Sequence, residues 1–113
     1  MFAESNGDGV FVALAHPVRR ALLDRLVASE LPVNALAAPF AETMSRPAIS
    51  QHLRVLREVG LVDERAVGRE RVYRLRAERL REVRDWLRKY ERFWRHRLDA
   101  LGSYLESEGE RPR

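Results

Sequence analysis

Apolar positions recur along this chain at two periods, and the change of period marks the elements. Between residues 45 and 59, Ile49, Leu53 and Leu56 fall at i, i+4 and i+7, which makes one buried stripe of an α-helix. Ser45 suits the N-cap, because its hydroxyl accepts from free N–H groups of the first turn. Pro47 sits in that turn, where a missing N–H costs nothing. Gly60 is able to turn left-handed and end the helix. Pro47, Ser50, Gln51, Arg54 and Glu58 fall on the opposite side.

Upstream, residues 1–9 include Asn6-Gly7-Asp8-Gly9, which reads as turn or disordered material. The apolar run Val10 to Ala15 forms a first helix that stops before His16-Pro17, since a residue preceding proline is pushed out of the α region. Pro17 opens a second helix whose stripe is Leu22, Leu23, Leu26 and Val27. Leu31-Pro32-Val33 breaks the pattern. A short third helix follows over 34–40, with Leu36, Ala37 and Phe40 inward. Residues 41–44 turn, and the 45–59 helix completes a helix-turn-helix.

After Gly60 the period shortens to two. Residues 61–67 are β-compatible, Gly68 is a turn signal, and 69–76 alternate, with Arg71, Tyr73 and Leu75 on one side. Residues 61–76 therefore predict a two-stranded hairpin leaning on the helices. From 78 to 106 the chain predicts one long helix with no proline and a single glycine, Gly102. Leu80, Val83, Leu87, Tyr90, Trp94, Leu98, Leu101 and Leu105 recur every three or four positions, and Trp86 and Phe93 widen the stripe. So long a stripe exceeds what the short upstream helices cover, which predicts a partner helix, most simply that of a second copy. Residues 107–113 are a polar tail. The expected fold is mainly α with a small β-hairpin, in one domain over 10–106.

Composition sharpens this picture in two places. The chain has 113 residues, 45% hydrophobic and 34% charged, with a formal net charge of +4. Lys89 is its single lysine, so the positive charge is almost wholly arginine, which binds phosphate bidentately and stacks on bases. The first half of the 45–59 helix carries Arg46, Ser50, Gln51 and Arg54 and no acid, side chains suited to major-groove edges and phosphates. The same face is also compatible with an ordinary solvated helix. Arg65, Arg69 and Arg71 surround the hairpin glycine. They suit the minor groove or phosphates, or else protect the strand edges from aggregation.

Other classes fall away. There are no cysteines, which excludes disulfides, thiolate metal sites and cysteine nucleophiles. No apolar run approaches the ~18–20 residues of a membrane span and no signal-peptide core is present, so a cytoplasmic location is expected. Three histidines on separate elements, with no glycine-rich phosphate loop and no paired carboxylates, argue against an enzyme.

Leu14-Ala15-His16-Pro17-Val18-Arg19-Arg20, the string from Ser45 through Ser50-Gln51-His52-Leu53 to Gly60-Leu61-Val62, and Gly68 to Leu75 together resemble winged helix-turn-helix regulators of the ArsR/SmtB type. The resemblance covers about residues 10–76, and the terminal helix fits that family's dimer helix. It implies a homodimeric repressor, with double-stranded DNA as partner through an inverted-repeat operator, and release by a signal such as an unidentified small-molecule effector. By position, Ser45, Arg46, Pro47, Ser50, Gln51 and Arg54 face the major groove. His52 touches phosphate or else supports Leu53 and the wing. With Arg65, Arg69 and Arg71 these form the candidate DNA interface. The candidate dimer interface is Phe11 and Leu14 with Leu87, Tyr90, Phe93, Trp94, Leu98, Leu101 and Leu105.

The chain departs from the metal-sensing members. Asn34-Ala35-Leu36-Ala37-Ala38 stands where those carry a cysteine motif. Asp85, His96 and Asp99 have suggestive spacing but lie out of register with the family's second metal site. No metal or cofactor is expected, and the chain looks more like metal-free members, some of which sit beside genes for lipid-binding-type proteins. Alternatives are a winged helix that docks protein, with the aromatic helix as its docking face, and a metal-responsive repressor.

Overall fold

A computed structural model describes residues 6–109, in two compact units that divide after Glu82. The first is built from α1 (Asn6–Leu14), α2 (Pro17–Leu26), β1 (Leu31–Pro32), α3 (Val33–Ala37) with a 3₁₀ turn over Ala38–Phe40, α4 (Arg46–Glu58), β2 (Val62–Val67), β3 (Glu70–Leu75) and a second 3₁₀ turn, Ala77–Leu80. Helix α5 (Arg81–Arg88) crosses the division, and α6 (Glu91–Gly109) lies in the second unit.

The core follows the apolar stripes. Leu22 and Leu26 of α2, Leu36 of α3, and Ile49, Leu53 and Leu56 of α4 meet Leu61, just before the sheet, and Val62 and Tyr73 within it, all buried. Each such aliphatic side chain contributes roughly 1.5–3 kcal/mol by leaving water. Val27, expected in the α2 stripe, is 71% exposed instead, because α2 ends at Leu26 and Val27 serves as its C-cap.

The limits of α1 and α2 come from their junction. His16 is the N-cap of α2, its Nδ1 accepting from the Val18 N–H at 3.2 Å, and Pro17 opens the helix. The last carbonyls of α1 lack helical partners. Arg19 Nε donates to the Ala13 carbonyl at 2.7 Å and Arg20 Nη1 to that of Leu14 at 2.7 Å. At its other end α1 begins earlier than expected, at Asn6. Packing overrides the turn signals here: Val10 and Ala13 are fully buried, and a Cβ on Gly9 would meet Val59 Cγ1 at 3.5 Å. Expectations for residues 1–5 and 110–113 lie outside the described residues.

The hairpin is part of a three-stranded antiparallel sheet, ordered β1-β3-β2. Leu31 pairs with Tyr73 and Pro32 with Val72, while β2 and β3 pair from Val62↔Leu75 to Val67↔Glu70. The segment read as a pattern break is thus an edge strand, a place where proline's missing N–H is tolerated. Gly68, at φ 64°, makes the wing turn.

The terminal helix is not continuous. Between α5 and α6 the Tyr90 N–H bonds back to Leu87 and that of Phe93 to Tyr90, both at 2.9 Å and both three residues apart rather than four. No proline or glycine causes this. Trp86 and Tyr90 lie 5.2 Å apart by ring centroid, with Lys89 Nζ 5.9 Å and 5.5 Å from the two rings. Along α6, Phe93, Trp94, Leu98, Leu101, Tyr104 and Leu105 are all exposed.

Candidate nucleic-acid interface

Helix α4 is held at both ends. At the start the Ser45 hydroxyl accepts from the Ala48 N–H at 3.2 Å, with Pro47 in the first turn. At the end the Gly60 N–H bonds the Arg57 carbonyl at 3.0 Å and the Leu61 N–H bonds that of Leu56 at 2.9 Å. With Gly60 at φ 84° this is a Schellman motif, sealed by the buried Leu56 and Leu61 side chains. Arg79 Nη1 donates to a further terminal carbonyl, that of Val59, at 2.8 Å.

With Ile49, Leu53 and Leu56 buried, the helix turns Arg46, Pro47, Ser50, Gln51 and Arg54 to solvent, and its cap Ser45 is exposed beside them. These six share one open face, as their spacing implied. Arg54 Nε meets Glu58 at 3.2 Å, but both side chains are 61% exposed, so water competes for the pair.

His52 departs from this group. It is half-buried, and its Nδ1 lies 3.2 Å from Arg19 Nη1. Its ring centroid is 4.3 Å from that of His16. Burial lowers its pKa, and the neighbouring His16 and Arg19 charges lower it further. The contacts of His52 in the structure are with Arg19 and His16 of the α1–α2 junction.

The wing stands beside α4 across a groove. Arg46, Ser50, Arg54 and Arg57 line one wall, and Glu64, Arg71 and Tyr73 line the other. Arg57 pairs with Glu64, and Arg71 Nη1 approaches the same carboxylate at 3.5 Å. Tyr73 is buried, which raises its phenol above the ordinary value, and the Glu64 charge raises it further. Arg65 is paired with Glu30 at 2.6 Å. Arg69, at the exposed tip, has no ion pair among the described residues. Across β2 and β3, Arg74 binds Asp63 at 2.8 Å, and Arg76, just after β3, binds it at 2.9 Å. The Arg74 hydrogen bond, with that of Arg76, lowers the Asp63 pKa.

Arg57 and Glu64 escaped the sequence reading. Helical spacing from Arg46 through Ser50 and Arg54 points to Arg57, whereas a carboxylate facing a basic helix requires the tertiary fold. Among the described residues no three histidine, aspartate or glutamate side chains gather as metal ligands, so Asp85, His96 and Asp99 form no such group. No described helix is long and apolar enough to cross a membrane.

Known proteins share this arrangement. Residues 14–65 match the model of a helix-turn-helix domain family. Over 103 residues the chain is 40% identical to the HTH-type transcriptional regulator Rv2034 of Mycobacterium tuberculosis, spanning 91% of this chain and 92% of that protein. It is 29% identical over 80 residues to the transcriptional repressor SdpR of Bacillus subtilis, covering 71% of this chain and 87% of SdpR. The crystal structure of the ArsR family transcriptional regulator RHA00566 superimposes with a TM-score of 0.71 at 33% identity, covering 80% of this chain and 98% of that one. The chain belongs to the ArsR family of winged helix-turn-helix transcriptional regulators, which are DNA-binding proteins and not enzymes.

Proposed function

We propose that this regulator is a repressor that binds an inverted-repeat operator as a homodimer. The open face of α4 carries the reading: Arg46, Ser50, Gln51 and Arg54 are exposed together, with a basic wing alongside. Arginine reads guanine bidentately and Gln reads adenine, both in the major groove. Ser45 and Arg46 at the helix start lie where backbone N–H groups and the helix dipole favour phosphate. From the wing, Arg65 and Arg69 add phosphate or minor-groove contacts, and Arg71 lies beside them, paired with Glu64.

Two-fold symmetry supplies the second half of the site. The exposed apolar side chains of α6 favour pairing of two copies, joined by Leu87 and Tyr90 just before it and by Phe11 and Leu14 of α1. Two recognition helices then lie about one DNA turn apart. A small molecule that shifts this spacing relieves repression. Acting on DNA, the protein works in the cytoplasm.

The deciding measurement is binding of the purified protein to the DNA upstream of its own gene and to an unrelated duplex, over a salt series. Preference for the upstream duplex is expected, with affinity falling steeply as salt rises because arginines displace counterions. Equal affinity for both duplexes sinks the repressor reading.

A further inference from the structure

One carboxylate, Glu64, stands in a groove lined by four arginines. An acid there opposes phosphate binding by simple Coulomb repulsion. Glu64 sits on β2 directly across from Tyr73. Its side chain is 14% exposed, against 41% for Arg57 and 65% for Arg71, so it lies deeper than either guanidinium. It takes Arg57 from the helix and Arg71 from β3 at once. Among the described residues, Arg46 and Arg69 have no ion pair, and the Arg54–Glu58 pair is an open contact on the helix surface. Arg57 and Arg71 thus share one nearly covered carboxylate, which sets them apart from Arg46 and Arg69 and from Arg54 with its open partner.

We propose that Glu64 is a specificity-determining residue, which keeps Arg57 and Arg71 on the protein and away from phosphate. This rests on the DNA-binding reading above. Sequence-independent binding draws on charge alone, and an unrelated duplex offers phosphates in every register. There, a freed guanidinium always finds one. On the operator, base contacts fix the register, and a freed guanidinium gains only where a phosphate already lies within reach. The carboxylate thus weakens binding to unrelated DNA more than to the operator, and it raises the ratio between them.

The test uses the full chain with Glu64→Gln, which keeps the shape and a carbonyl acceptor while removing the charge. The probes are the duplex upstream of its own gene and an unrelated duplex of equal length, each titrated across a potassium chloride series. Binding of the unrelated duplex is expected to tighten about tenfold near 0.1 M salt, with the log–log salt slope steeper by about one. The preference for the upstream duplex falls accordingly. Glu64→Asp keeps the charge and is expected to keep the wild-type slope.

A wild type that still prefers its upstream duplex, with an unchanged slope in Glu64→Gln, overturns the role of Glu64 and leaves the repressor reading standing. A wild type with no preference removes both. A measurement on the wild type needs no variant to fold: NMR of the arginine side-chain N–H signals during titration with the unrelated duplex. Arg46 and Arg69 are expected to shift while Arg57 and Arg71 stay in place. Equal shifts for all four overturn the proposal.

Discussion

Nδ1 of His52 lies 3.2 Å from Nη1 of Arg19, so the recognition helix rests on the guanidinium that also ties down the end of the first helix. The imidazole accepts there only while Nδ1 is unprotonated. Its pKa in the fold is below 6.5, through burial first and then the charges of His16 and Arg19. In acid the unfolded chain takes up this proton before the folded one does. The stability contributed is fully present above pH 6.5 and is lost as pH falls from there through the lower folded value. The urea midpoint is expected to drop across that window, and His52→Gln to flatten this part of the profile. An identical profile in the variant refutes the account.

The two ends of α4 are separately testable by thermal melting. Ser45→Ala removes the cap of the Ala48 N–H and is expected to cost about 1 kcal/mol. Gly60→Ala places a side chain at φ 84°, where L-residues are strained, at a cost of about 1–2 kcal/mol. Its added Cβ meets Arg79 at no less than 3.6 Å, so the backbone and not crowding sets the penalty. A melting temperature unchanged in Gly60→Ala contradicts this.

Arg54 and Arg69 are expected to fail differently. Arg54→Ala removes a base reader and costs on the order of 1–3 kcal/mol on the operator, with little change on unrelated DNA. Arg69→Ala removes a phosphate contact, weakens all duplexes alike and lowers the salt slope by about one. The comparison is a pair of titrations per variant, and a reversal of the two patterns exchanges the roles.

Pairing of two copies is decided by sedimentation at micromolar protein. The wild type is expected to run as a dimer, and Phe93→Glu or Leu98→Glu, each charging the exposed face of α6, as a monomer. A wild type that stays monomeric ends the homodimer proposal. A dimer indifferent to both substitutions keeps the homodimer but removes α6 from its interface, because its contacts then lie elsewhere.

Much of this was legible in the sequence because it is local. Ser45, Pro47 and Gly60 bound α4 by cap and turn chemistry, and His16-Pro17 separates α1 from α2. Gly68 marks the wing turn. What stayed hidden depends on distant partners. Leu31-Pro32 is too short to show alternation, and its proline reads as a breaker until β3 supplies the other edge. The helical start of α1 depends on Gly9 lying against Val59. The interruption at Lys89–Tyr90 carries no glycine or proline, so the apolar period runs through it unmarked. The open face of α4 followed from periodicity, whereas the pairing of Arg57 and Arg71 with one carboxylate did not.

The short strand at Leu31–Pro32 also bears on how the protein folds. Its partner Tyr73 is about forty positions downstream, and the intervening chain contains the whole helix-turn-helix and the wing turn. Helix α4 is held by its own caps and by its packing on α2 and β2, and the strand pair closes the chain around it. That closure carries an entropic cost before the strand contacts repay it. Insertions near the wing tip leave this closure intact, whereas a break in the β1–β3 pairing opens it.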